Sequence, residues 1–264
     1  MLQRSFSILP GIGLTTERSL WERDIHDWTT FLAQKNIFRI GDRRKRYFDA
    51  RLKQASTNVD DPHYLSTLFP NNLHWRLFDH LKKNVAYLDI ETTGLSYRSS
   101  ITLVGVYRAQ EQKMISLVKG MGLTKSAIVE ALEDVSLVVT YNGASFDLPF
   151  IERQFPGALP KIPHFDLRFG AGRLGYRGGL KRLERIMGIK RDYEVENLAG
   201  EDALLYWRMW SKDRNRNALK LLRKYNAEDV KNLAPIAERV YRELKELALD
   251  GLTDPLERSN SGSI

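Results

Sequence analysis

The amino-acid sequence predicts an α/β fold: a mixed sheet flanked by helices, with a helical N-terminal extension. Three observations predict it. Residues 84–120 hold three β-prone runs in succession, "VAYLDI" (85–90), "ITLVGVYR" (101–108) and "KMISLVKG" (113–120). From residue 125 helical and strand-like runs alternate, and beyond about 179 only helical patterns remain. Residues 1–80 read as helical and irregular. Successive strands, then alternation, then helices is the order expected of a mixed sheet with helices packed against it.

Within residues 1–80, "TTERSLWERDIHDWTTFLAQ" (15–34) spaces Leu20, Trp21, Ile25, Trp28, Phe31 and Leu32 as one helix, with Thr15 or Thr16 as N-cap. The Asp60-Asp61-Pro62 turn breaks the region before "YLSTLFPNNLHWRLFDHL" (64–81). Residues 81–248 form the second unit. Gln110-Glu111-Gln112 is short enough to join the second and third strands as a hairpin. "KSAIVEAL" (125–132) reads as a helix and "SLVVTYN" (136–142) as a strand. "SFDLPFIERQF" (145–155) reads as a helix N-capped by Ser145, and "IPHFDL" (162–167) as a short strand. Helices are expected around 179–188, 200–211 and 216–247, before a polar, disordered tail over 249–264.

Composition narrows the function classes. With 42% hydrophobic and 28% charged residues the chain has ample core-forming material. It contains no cysteine, which excludes disulfides and thiolate metal sites and fits a cytoplasmic protein. No run approaches the roughly 18 apolar residues of a membrane span, and "MLQRSFSILPGIG" lacks the apolar length of a secretory signal. The net charge of +8 is concentrated in two stretches. "RRKRYFDARLK" (43–53) carries six bases against one acid, and residues 167–191 carry eight Lys/Arg, Arg173, Arg177 and Lys181 among them, against Glu184 alone. Each stretch is either a solvated surface or a polyanion contact, and two in one basic protein favour nucleic acid.

The chemistry lies in the acids. Asp89 and Glu91 in "YLDIETTGLS" are two residues apart on a strand and therefore share a face, where like charges repel. Asp147 begins a helix, where the helix dipole alone would account for it. Tyr225 and Asp229 in "YNAEDV" lie four apart on one helix face. Asp166 in "PHFDL" either supports that site or caps a loop. Carboxylates converging from such separate segments suit Mg²⁺ or Mn²⁺, hard ions that need no Cys or His. Two such ions, about 3.5–4 Å apart, activate water and stabilise the leaving oxygen of a phosphodiester.

The motifs "LDIETTGL", "YNGASFDLPFI" and "YNAEDV" resemble, in order, the three exonuclease motifs of the DEDD superfamily of 3′→5′ exonucleases. Tyr225, with Lys at position 224 where the other subgroup would want His, is similar to the DEDDy type. "GGLKRLERIMGI" and "LLRKYNAEDVKNL" most resemble the YprB-like branch, with proofreading domains of B-family DNA polymerases as more distant relatives. The resemblance covers roughly residues 84–240. It implies a ribonuclease-H-like fold and two divalent ions, Mg²⁺ or Mn²⁺, held by Asp89, Glu91, Asp147 and Asp229. It also implies a water oriented by Tyr225. Thr92 and Leu95 would lie against the 3′-terminal nucleotide, and Asn142 and Phe146 would contact substrate or support the site. Arg173, Arg177 and Lys181 would meet the strand.

The function so implied is metal-dependent 3′→5′ hydrolysis of nucleic acid with a free 3′ end, single-stranded DNA favoured over RNA. A structure-specific endonuclease of the same fold and a non-catalytic nucleic-acid-binding scaffold are the alternatives. "ILPGIGLTTERSLW" (8–21) resembles half of a helix-hairpin-helix, in which Gly-Ile-Gly amides would grip a phosphate; the alternative is a tight turn and an N-capped helix that packs Trp21 and Trp28.

Overall fold

The computed structural model describes residues 1–250, so nearly all of the polar tail expected over 249–264 lies outside the described residues. The N-terminal extension carries α1 (Leu14–Trp21), α2 (Trp28–Ala33), α3 (Asp42–Thr57), α4 (Pro62–Leu68) and α5 (Phe78–Leu81). The single helix expected over 15–34 is thus two helices. Asp24 takes a left-handed φ of 62°, which ends the first. Asp27 accepts the Thr30 N–H at 2.7 Å while Thr30 Oγ1 accepts the Asp27 N–H at 3.0 Å, a capping box that starts the second. The apolar spacing survives the break because Leu20, Trp21, Ile25, Trp28 and Phe31 all still reach the core. Gly13, not Thr15 or Thr16, is the N-cap of α1.

Glu17 fastens this extension. It is fully buried and accepts from the Phe6 N–H at 2.6 Å, the Ser7 N–H at 3.0 Å and Arg76, whose Nη1 lies 2.7 Å from Oε2. A buried carboxylate is tolerable when several donors replace its water.

The sheet follows. β1 (Val85–Thr92), β2 (Ile101–Arg108) and β3 (Lys113–Val118) form an antiparallel meander, with the expected hairpin at Gln110–Gln112. β4 (Leu137–Thr140) and β5 (His164–Asp166) join on the other side of β1, parallel to it and to each other, giving the order β3-β2-β1-β4-β5. β1 is therefore central, and its pairing shifts register between Glu91 and Thr92, where the strand leaves the sheet.

Helices cover both faces. α6 (Lys125–Ala131) and α7 (Asp147–Gln154) bury Ile128, Phe150 and Ile151 against Leu88, Ile90, Val104 and Val106. α8 (Leu167–Arg173), α9 (Leu180–Met187), α10 (Gly200–Asp213) and the 34-residue α11 (Arg216–Leu249) complete the chain. α11 lies across the opposite face, and its Leu233, Ile236, Val240 and Tyr241 share one core with Val85 and Tyr87 and with Phe6, Trp28, Trp75 and Phe78 of the extension. α8 was absent from the sequence-based expectation because Gly170 and Gly172 lower helix propensity. Asp166 caps it through the Arg168 N–H at 3.0 Å, and a Cβ on Gly170 would stand 2.8 Å from the Phe165 ring, so close packing requires the glycine.

Candidate metal centre and nucleic-acid cleft

The end of β1 and the middle of α11 bring the predicted acids together. Asp89, Glu91 and Asp229 each offer an oxygen within 4.8 Å of the others. Asp89 and Glu91 are half-buried, and Asp229 is buried. Asp147 sits in the first turn of α7, but its side chain turns to the sheet and accepts the Ile90 N–H at 3.0 Å. It is 3% exposed, so it is no solvated dipole-capping residue. Ser145 does not cap this helix; Phe146 occupies the N-cap position without a side-chain bond, its ring against Phe150.

Burial raises the pKa of every acid in the group, and the neighbouring carboxylates add to it. Asp89 and Glu91 are pushed well above the usual carboxylate range, Asp89 by burial and then by Asp147, Asp229 and Glu91. Asp147 is raised to about 7, burial outweighing the Ile90 N–H bond. Asp229 is raised to about 6, burial outweighing the Arg191 guanidinium beside it. Such a group is short of positive charge and consists of oxygen donors alone, which fits one or more hard divalent ions held by Asp89, Glu91 and Asp229, with Asp147 adjoining.

Three supports were not foreseen from the sequence. Asn226 follows Tyr225, is fully buried, and donates from Nδ2 to Asp89 Oδ2 at 2.9 Å. Gly105, paired with Asp89 across β1 and β2, makes this possible, since a Cβ there would collide with Asn226 Oδ1. A glycine inside a strand run was the available signal. Arg191 pairs with Asp229 and forks onto Glu184 at 2.7 and 2.8 Å, while Asn232 donates to the same Glu184 at 2.9 Å. Burial works against its charge, yet the Glu184 and Asp229 contacts prevail and raise its pKa. Arg191 and Glu184 belong to the basic stretch whose sequence suits either a solvated surface or a polyanion contact; their side chains are only 4% and 3% exposed, so that part of the stretch is internal structure.

Tyr225, one turn before Asp229, is 7% exposed, with Lys181 Nζ at 5.2 Å and Arg191 Cζ at 5.6 Å from its ring centre. Burial and then Asp229 raise its phenol, so it stays protonated. Asp166 takes the loop-capping role. Its Oδ1 accepts the Asn142 N–H at 2.8 Å and its Oδ2 the Ala144 N–H at 3.0 Å, which shapes the turn leading to Asp147. Asn142 adopts a left-handed φ of 70° there and accepts from Arg168 Nη1 at 2.7 Å.

The other expected contacts separate. Asn142 and Arg177 line one cleft of about 620 Å³ with Tyr141, Arg168 and Gly178. Arg173 lines a different cavity, described below. Thr92 donates to the Gly94 carbonyl at 2.7 Å and shapes the turn after β1, leaving Leu95 84% exposed at its tip. In the first basic stretch, Lys45 is buried against Asp49 at 2.6 Å, and Arg44 donates to the Pro10 carbonyl at 3.1 Å beside the Gly-Ile-Gly turn. Those two bases are committed to the fold.

Among the described residues, no helix is long and apolar enough to cross a membrane. YprB of Bacillus subtilis (strain 168), an uncharacterized protein, is 33% identical over 172 residues, 58% of this chain and 40% of YprB. The chain thus spans less than half of that relative. A family B DNA polymerase from the hyperthermophilic archaeon Pyrobaculum calidifontis superposes with a TM-score of 0.50 at 18% identity, over 68% of this chain and 27% of the polymerase, a likeness of fold. A family profile described as RNase_H superfamily matches residues 86–241, all five strands and most of α11 included. By that match the protein belongs to the RNase_H superfamily.

Proposed function

We propose that this protein is a metal-dependent nuclease that hydrolyses phosphodiester bonds from a free 3′ end, on single-stranded DNA in preference to RNA. The observation that carries the reading is the convergence of Asp89, Glu91 and Asp229 oxygens within 4.8 Å, beside buried Asp147 and Tyr225. Two ions, Mg²⁺ or Mn²⁺, bound there would lower the pKa of a water and stabilise the leaving oxygen.

The protein's own part is placement. Asn226 holds one Asp89 oxygen and the Ile90 N–H holds one Asp147 oxygen, which leaves the remaining oxygens of each in fixed directions. Arg191 restrains Asp229 while balancing part of its charge. Tyr225 keeps its proton and therefore orients the attacking water as a hydrogen-bond partner rather than serving as its base. Leu95 and Thr92 form the turn against which the 3′-terminal nucleotide would rest. Arg177, in the wall of the Asn142 cleft, and Lys181, beside the Tyr225 ring, would give the strand's phosphates counter-charge.

The test is hydrolysis of 5′-labelled DNA and RNA oligonucleotides with Mg²⁺ or Mn²⁺. A ladder shortening from the 3′ end, abolished by EDTA and absent on circular single strands, is the expected result. Cleavage of the circle would show an endonuclease instead, and no metal-dependent cleavage of any substrate would leave a binding scaffold.

A further inference from the structure

A second cavity, of about 760 Å³, opens where the N-terminal extension meets the catalytic sheet. This is within the size range of small-ligand sites, roughly 300–1,000 Å³. Its walls come from both regions: Asn71, Asn72 and Trp75 from the extension, and Leu148, Phe169 and Arg173 from α7 and α8. We infer that this cavity binds an unpaired nucleotide of the strand being degraded, with the base against Phe169 and the phosphate at Arg173. The inference rests on the nuclease reading and deepens it, since it makes the preferred substrate single-stranded.

Five observations carry it. Phe169 is 56% exposed at the cavity, an aromatic face with no ring partner among the described residues, and every nucleobase can stack on such a face. Arg173 is held in place by its Nη1 bond to the Asn72 carbonyl at 3.3 Å and lies 5.8 Å from the Trp75 ring centre, so its guanidinium is fixed across the cavity without any carboxylate to neutralise it. Lys161 adds a second cation to the wall. The carboxylate in the wall, Asp166, accepts from the Asn142, Ala144 and Arg168 N–H groups, and its single charge is outnumbered by the two cations. The cavity therefore favours anions, as a phosphodiester requires. The side chains of Asn71 and Asn72 supply the amide donors and acceptors that a base edge can meet.

The cavity also adjoins the metal centre along the chain. Ala144 lies in its wall three residues before Asp147, and Leu148 one residue after. A nucleotide held there presses on the loop that presents Asp147. An unpaired base is required because a paired one has no free face to offer Phe169 and no free edge for the asparagines.

The experiment measures binding of a fluorescein-labelled 12-nucleotide thymidine strand by anisotropy in EDTA, where hydrolysis cannot occur, for wild type, Phe169→Ala and Arg173→Ala. Both side chains are solvent-exposed, and circular dichroism and melting temperature check that each variant folds. Each substitution is expected to weaken binding at least about fivefold, as the loss of one stacked base or one phosphate contact does, and wild type should bind a blunt duplex of equal length more weakly. Affinity unchanged within twofold in both folded variants overturns the inference. So does calorimetric binding of free thymidine monophosphate that the variants lose while their affinity for the strand stays intact. Hydrolysis with Mn²⁺ is measured separately. A wild-type protein that binds as expected yet never hydrolyses would defeat the nuclease reading alone, whereas normal hydrolysis with unaffected variants would defeat this inference alone.

Discussion

The chain buries acids in two opposite ways. Glu17 in the N-terminal extension is surrounded by donors, a guanidinium and two backbone N–H groups, and fastens Arg76 and the first residues to the core. Asp89 and Glu91, at the end of β1, instead face two further acids, Asp147 and Asp229, and the nearby donors are too few to hold them all ionised. Burial alone does not distinguish a structural carboxylate from a functional one. The distinction lies in whether the protein completes the charge balance itself or leaves it for a ligand to complete.

The comparison is broken most severely by Asp89→Asn. Removing one charge from the crowded group should lower metal-dependent hydrolysis about a thousandfold or more, roughly 4 kcal/mol of barrier, while the metal-free protein melts no lower than wild type. A lower melting temperature would mean that Asp89 is structural after all. Glu17→Ala should do the reverse. Leaving Arg76 buried without its partner costs about 3–5 kcal/mol in stability, read by urea unfolding, while molecules that remain folded keep their hydrolytic rate. Gly105→Ala lies between the two. Its Cβ would displace Asn226 from Asp89, costing about 1–3 kcal/mol in stability and weakening Mn²⁺ binding measured by calorimetry.

The smallest effect concerns pH. Acids raised to about 7 at Asp147 and about 6 at Asp229, and raised well above the usual carboxylate range by burial at Asp89 and Glu91, hold on to protons that a metal ion must displace. Mn²⁺ binding should therefore release protons, and its affinity should rise as pH increases from 6 to 8, up to about tenfold per unit for each proton released. The check is the dependence of calorimetric heats on the ionisation enthalpy of the buffer. Independence from buffer at pH 6.5 would show the acids already ionised.

The sheet was readable because each strand carries its own local pattern, and the "VAYLDI", "ITLVGVYR" and "KMISLVKG" runs appear as β1, β2 and β3 with only their ends adjusted. The shared faces of Asp89 with Glu91 and of Tyr225 with Asp229 were readable from their spacing along strand and helix, whereas the grouping of the acids across the chain rested on the motif resemblance. What escaped depends on contacts distant in sequence. The break between α1 and α2 hides inside an unbroken apolar spacing, since Asp24 and Asp27 interrupt the backbone without shifting the buried face. α8 hides behind two glycines, of which Gly170 is required by its close approach to Phe165. Arg191 is one base among many until Glu184 and Asp229 are seen on either side of it, 7 and 38 residues away. Asn226 acquires meaning only from Gly105, on another element altogether.

α11 carries both regions at once. Its first half presents Tyr225, Asn226 and Asp229, and its second half packs Tyr241 against Phe78 at 5.5 Å and Trp75 at 6.2 Å. A fragment beginning at residue 86, where the superfamily match starts, would strip that second half of its aromatic partners and expose an oily flank on the very rod that presents Asp229 and Asn226. Such a fragment should be insoluble or frayed before any question of chemistry arises, and evolutionary exchange of the extension would have to preserve the Trp75 and Phe78 footprint. The boundary drawn by sequence similarity thus cuts through a core that both regions share.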